Sequence, residues 1–143
     1  MKYAFQSTYD DYSFGVNLLN DIDALSFGLT RISFSWKKDV HKEEGNFNEG
    51  FSSYEASLLS SGIEQDINFS EKLSAVAAVG YDLLTPIYSK GNNLREQSSS
   101  VNVFIGLNYK LNSEISLHIN SSKKNRFPTL KEFYSETIRE RCC

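Results

Sequence analysis

Apolar and polar residues alternate one by one along most of this chain, and that alternation limits it to very few folds. Tyr12, Phe14, Val16 and Leu18 oppose Ser13, Gly15 and Asn17. Leu73, Ala75, Ala77, Val79 and Tyr81 oppose Ser74, Val76, Ala78, Gly80 and Asp82. Val101, Val103, Ile105, Leu107 and Tyr109 oppose Asn102, Phe104, Gly106 and Asn108. A repeat of two is that of a pleated strand with unlike faces. No amphipathic helical repeat precedes residue 128, so the chain is all-β, an antiparallel up-and-down meander.

Turn chemistry divides the alternation into about seven strands, over residues 3–9, 12–19, 24–37, 51–67, 73–82, 98–110 and 115–120. Acidic and amide residues mark tight turns at Asp10–Asp11, Asn20–Asp23, Asn68–Lys72 and Leu111–Glu114. Longer polar stretches, 39–50 and 83–97, read as solvent loops. The apolar set moves by one residue between Leu25, Phe27, Leu29 and Ile32, Phe34, Trp36, which predicts a β-bulge near Thr30–Arg31. Thr129 and Glu132 have the spacing of a capping box, so Thr129–Arg141 is the one helical candidate.

Composition excludes several classes. The chain has 143 residues, with Lys+Arg 15 against Asp+Glu 18 and a net charge of -3. The cations are scattered apart from Lys37–Lys38 and Lys123–Arg126, which argues against a nucleic-acid partner. No run nears the ~20 apolar residues of a membrane helix. A membrane β-barrel stays open, because only alternate residues of its strands meet lipid. The two cysteines, Cys142 and Cys143, are adjacent and terminal, so neither a disulfide framework nor a cysteine zinc site fits within one chain.

Three features favour a partial transmembrane barrel over a soluble sandwich. Short connections alternate with long ones, as when all long loops leave on one side of a membrane. Several strands reach the ~9–11 residues that cross a bilayer at a tilt. Aromatics stand near expected strand ends, at Tyr12, Trp36, Phe51, Phe69, Tyr81 and Tyr109, where girdles would lie.

The last strands carry a more specific signal. Phe104-Ile105-Gly106-Leu107-Asn108-Tyr109-Lys110-Leu111, a tight turn, Ile115–Asn120, and then Arg126-Phe127-Pro128-Thr129-Leu130-Lys131-Glu132-Phe133-Tyr134 follow in order. This order resembles the barrel of TonB-dependent outer-membrane receptors, in which a strand runs out into a segment of the type R-x-P-T-L-x-E-L-Y. The resemblance singles out Arg126, Phe127, Pro128, Thr129, Leu130, Glu132 and Tyr134 as structural motif residues, and leaves the ligand-binding residues unknown. Pro128 suits the end of pairing, since it has no donor for a ladder.

The resemblance implies a location in the outer membrane of a Gram-negative cell. It also implies a parent barrel of about 22 strands around a plug. Implied partners are outer-membrane lipid, the TonB complex through that plug, and a small chelate at the extracellular loops. The ligand would be a ferric siderophore, haem or cobalamin, and the loops 39–50, 83–97 and 124–135 would help form its mouth. Residues 1–143 would then be part of one barrel domain, without plug, TonB box or closing strand. Met1–Gln6 lacks a signal core and already alternates, which suggests a missing start. Ser135–Cys143 departs from the family's continuation and is expected to be foreign to the fold, as after a frameshift or truncation.

No catalytic or metal-binding set emerges. His41 falls in an expected loop and His118 in a strand, neither with a second ligand at metal spacing. Asp10–Asp11 and Glu43–Glu44 are neighbours in expected turns whose side chains diverge. There is no Gly-x-Ser-x-Gly elbow and no glycine-rich phosphate loop. The expectation is a non-enzymatic protein without cofactor. A soluble β-sandwich binding or adhesion module is the main alternative, and an outer-membrane barrel hydrolase the lesser one.

Overall fold

A computed structural model of the chain describes residues 8–25, 28–44, 52–89, 94–128 and 130. Six strands follow one another: β1 (Thr8–Leu25), β2 (Gly28–Glu44), β3 (Ser52–Asn68), β4 (Leu73–Ser89), β5 (Ser98–Lys110) and β6 (Ser116–Lys123). They form a single antiparallel sheet in the order β1-β2-β3-β4-β5-β6. The all-β meander expected from the alternation is present. Among the described residues the sheet is not closed: β1 pairs with β2 alone, and β6 with β5 alone.

Among the described residues the strand count is six rather than seven, because β1 runs straight through two expected turns. Asp10 and Asp11 lie opposite Lys42 and His41, and Asp21 lies opposite Arg31. Each acid thus faces a basic residue across the pair, with Asp21 bonded to Arg31 and Asp11 to His41, and that register outweighs the local preference for a turn. The expected loop at 39–50 recedes for the same reason, and β2 continues to Glu44. The expected loop at 83–97 also shrinks, since β4 continues to Ser89. Pro86 is accommodated where the β3–β4 register shifts between Glu55 and Ala56. The bulge expected at Thr30–Arg31 is absent; the β1–β2 register is irregular between Ile22 and Leu25 instead.

Connection lengths alternate as expected. Residues 26–27, 69–72 and 111–115 join strands at one end of the sheet, and 45–51 and 90–97 join them at the other. The 69–72 turn is closed by Phe69 N–H donating to Leu73 O at 3.0 Å. In the next, Asn112 Oδ1 accepts from the N–H groups of Glu114 at 2.9 Å and Ile115 at 2.7 Å, an Asx turn that only a short carboxyl or amide side chain can make. The helical candidate Thr129–Arg141 lies outside the described residues except for Leu130.

Little of the sheet is buried. Val40, Tyr54 and Ala56 are the buried apolar residues, with His41 and Ser100 the buried polar ones, among the described residues. Leu84 and Leu130 pack around Tyr54, at the end of the sheet that carries the long connections. Among the described residues no sandwich-type core lies beneath the strands.

Candidate functional site

Residues directly opposite in the register share a face, so the pairing sorts every strand into two surfaces. One carries Phe14, Val16 and Leu18 of β1, Ile32, Phe34 and Trp36 of β2, and Leu59 and Ile63 of β3. It continues through Val79 and Tyr81 of β4, Val101, Val103, Ile105, Leu107 and Tyr109 of β5, and Leu117 and Ile119 of β6. From Phe14 to Ile22, Thr30 to Trp36, Ser57 to Ile67, Leu73 to Thr85 and Ser99 to Tyr109, this face holds no charged side chain. On the opposite face the same spans carry Asp21, Arg31, Glu64, Asp66 and Asp82.

Exposure runs opposite to that of a water-soluble sheet. Leu18 is 62% exposed and Ile105 59%. Along β5 the apolar residues are the exposed ones, while Ser100 and Gly106 between them are buried. A sheet whose polar side is the sheltered one coils with that side inward. A contiguous exposed apolar surface of this extent is far beyond what single surface hydrophobics explain.

The apolar band is also inclined to the strands. On β1 it spans Tyr12–Ile22, centred on Asn17, which is in register with Ser35, Ser60, Asp82 and Ser100. On β5 it spans Val101–Tyr109, centred on Ile105, five residues beyond Ser100. That drift is ~17 Å along the strand over four strand spacings of ~19 Å, an inclination of ~40°. Charges on the apolar face gather past the band's upper margin, towards the long connections. There Lys38 Nζ meets Glu55 Oε2 at 2.7 Å, and Lys42 Nζ sits 5.5 Å from the centre of the Tyr12 ring. Lys123, opposite Val103 on β6, is the exception. Trp36 also stands near the upper margin, edge-on to Phe14 at 5.6 Å, with Nε1 donating to Ser57 Oγ at 2.8 Å. Tyr109 and Phe69 mark the lower margin, whereas Trp36 and Tyr81 lie well inside their strands rather than at the expected ends. Phe51 is outside the described residues.

The inner face is a set of cross-strand polar links. Arg31 Nε reaches Asp21 Oδ1 at 3.2 Å, and its Nη1 pairs with Glu64, so one guanidinium joins β1, β2 and β3. Asn102 Nδ2 donates to Asp82 Oδ2 at 2.5 Å, and its Oδ1 accepts from Asn125 N–H at 3.0 Å. Towards the long connections His41, only 5% exposed, pairs through Nδ1 with Asp11. Its ring stacks between Tyr9 at 5.9 Å and Tyr54 at 6.1 Å. A recess of about 440 Å³ opens beside it, lined by Asp11, Ser13, Lys37, Asp39, His41 and Leu130 among others.

His41 was expected in a solvated loop and instead stands on β2 with a partner. Two lysines at apolar-face positions, Lys38 and Lys42, break the alternation there and hide the strand. The usable signal is the pairing about residue 26, which sets Asp10, Asp11 and Asp21 against Lys42, His41 and Arg31. Asp10 and Asp11 do diverge, as strand neighbours on opposite faces. His118 faces inward opposite Asn108. No group of three or more His, Cys, Asp or Glu able to hold a metal ion occurs among the described residues.

The motif residues fall partly within the described chain. Arg126 and Pro128 are exposed and Phe127 is half-buried. Leu130 packs against Tyr54 on the inner face, while Thr129, Glu132 and Tyr134 lie outside the described residues. Among the described residues no helix is long and apolar enough to cross a membrane, which says nothing about crossing by strands. No protein-family model, curated protein or solved structure matches the chain.

Proposed function

We propose that this chain forms part of the wall of an outer-membrane β-barrel, of the TonB-dependent receptor type, that imports a scarce ligand. The observation that carries the membrane reading is the charge-free, outward apolar band crossing five strands. In water such a surface would aggregate; against hydrocarbon it is the favourable arrangement. Its ~40° inclination agrees with the tilt of about 35–45° found in membrane barrels. Long connections gathered at one end agree with an extracellular side, and the polar inner face agrees with a wet lumen.

Open edges cannot remain in lipid, because each unpaired backbone group there costs several kcal/mol. Further strands must therefore close the sheet, and transport belongs to the closed barrel. The receptor type rests on the Arg126–Tyr134 resemblance, and the ferric siderophore, haem or cobalamin class of ligand rests on it too. The role is uptake rather than catalysis.

Trp36 is the single tryptophan of the chain and stands half-buried on the apolar face, so it reports directly. The full chain, diluted from urea into lipid vesicles, is expected to show blue-shifted emission that lipids brominated in their acyl chains quench. A chain that stays soluble and monodisperse without lipid, with Trp36 shielded from aqueous acrylamide, would overturn the membrane reading and favour a sandwich. The receptor type is tested on the encoding DNA. Frames that continue into a plug upstream and further hairpins downstream support it; a clean gene boundary on both sides counts against it.

A further inference from the structure

The lower end of the inner face, beside the short connections, carries polar groups that the sheet itself leaves unused. Asn68, Ser74, Asn108 and His118 stand opposite one another in register across β3, β4, β5 and β6. Two residues along, Asp66, Val76, Gly106 and Asn120 form the neighbouring inward row. The two rows lie ~7 Å apart and span three strand spacings, ~14 Å. Gly106 has no side chain to fill its place in that row. The Phe104 ring reaches to 3.3 Å of where a Cβ would stand, so the hollow has one flat apolar wall. The recess measures about 400 Å³, which is the size of a small-ligand site.

The polar groups of this recess are poorly served by one another. Towards the middle of the same face, Arg31 joins Asp21 and Glu64, and Asn102 joins Asp82. Among Asp66, Asn68, Ser74, Asn108, His118 and Asn120, the one side-chain hydrogen bond is Asn108 Nδ2 donating to Ser74 Oγ at 3.4 Å. Asn108 Oδ1 is buried without a partner. Turning the amide end for end leaves its nitrogen unpaired instead, so one end is always unserved. Such a group costs free energy until something bonds to it. A small rotation about the soft χ2 torsion turns it towards the recess that Asn108 lines.

The lining narrows the ligand chemistry. No lysine or arginine is among the described lining residues, which leaves an anion without a counter-charge; Lys110, next inward along β5, does not line the recess. Asp66 is the one acid there and, with His118, makes too few ligands for a metal ion. What remains is three amides, a hydroxyl and an imidazole, each able to donate and to accept. Neighbouring hydroxyls of a sugar do the same, and the C–H face of a sugar packs on an aromatic ring. We propose that this recess binds one neutral sugar ring, with Asn108 and Asn120 bonding its hydroxyls and Phe104 against its C–H face. The site lies at the end of the sheet away from the long connections. It stands on the inner face alone, whether or not lipid meets the outer one.

His118 is exposed at the recess, and His41 stands at the far end of the same face, so the two report as site and control. The full chain, folded in phosphocholine micelles free of sugar detergents, is titrated with methyl glucoside and with N-acetylglucosamine. The imidazole proton resonances, assigned with His118→Gln, are followed by NMR. At least one sugar is expected to shift the His118 resonance saturably and to leave His41 in place. Asn120→Ala, at an exposed position, is expected to weaken that binding about fivefold, the loss of one hydrogen bond. Asn108→Leu, which removes the unserved amide at similar volume, is expected to weaken it about tenfold without loosening the sheet. No saturable shift at His118 with either sugar overturns the site. An equal shift at His41 also overturns it, since that marks a solvent effect. Binding that survives both variants unchanged places the sugar elsewhere. Cationic glucosamine is the last probe: tighter binding than N-acetylglucosamine, lost in Asp66→Asn, would make this a cation site and overturn the sugar.

Discussion

The two faces of the sheet are built on the same backbone and obey opposite rules. Outside, apolar side chains are exposed and charges are absent from the band's middle. Inside, charges are numerous and several meet partners across strands, as Arg31 does with Asp21 and Glu64 and Asp82 with Asn102. The contrast teaches that burial is not the organising quantity here. What is sorted is polarity against the medium on each side, with glycine and serine keeping the inner side thin enough for the sheet to coil.

A charge placed on the outer band is the most severe way to break the contrast. Val79→Arg, at the band's middle, is expected to lower the stability of the lipid-folded state by about 2–4 kcal/mol, read from denaturant unfolding in vesicles. Ser60→Arg on the inner face is expected to cost less than about 1 kcal/mol. Equal costs for the two would show that both faces meet the same medium.

Crowding the inner face tests its thinness. A Cβ on Gly106 would stand 2.9 Å from Val76 Cγ1 and 3.3 Å from the Phe104 ring. Gly106→Ala is expected to cost about 1–2 kcal/mol as those side chains give way, measured the same way. Removing a polar partner is milder. Asp11→Ala leaves the sheltered His41 without its carboxylate, and about 1 kcal/mol of destabilisation is expected because Asp11 itself is largely exposed. Smallest is Arg31→Gln, expected to lower the unfolding midpoint slightly at low ionic strength and not at all at high salt. A deficit that persists in salt would mean that packing by the long side chain, rather than its charge, holds β1 to β3 there.

Particular residues show where sequence reading reached and where it stopped. The apolar faces of β4 and β5 were legible residue by residue, because nothing charged interrupts them. β1 and β2 were cut too short, because Asp10, Asp11, Asn20, Asp21 and Lys42 carry strong turn or loop preferences that only a partner strand can offset. His41 was misplaced with them. The motif from Arg126 to Tyr134 was visible as a word, but the bond that holds Asn125 just before it to Asn102 of β5 was not, since it joins residues 23 apart and no local preference encodes it.

The sequence by itself determined the period of two, and with it an all-β sheet with one apolar and one polar face. It also determined that connections would alternate short and long. These follow from neighbours along the chain, where pleat geometry acts directly. Only the tertiary structure decided the register, and through the register everything that needs two strands at once. That includes the inclination of the apolar band, the Asp21–Arg31–Glu64 bridge, the shelter of His41 and the bond from Asn125 to Asn102. Pairing energies between distant segments exceed the local preferences they override, and those energies do not exist until the strands have met.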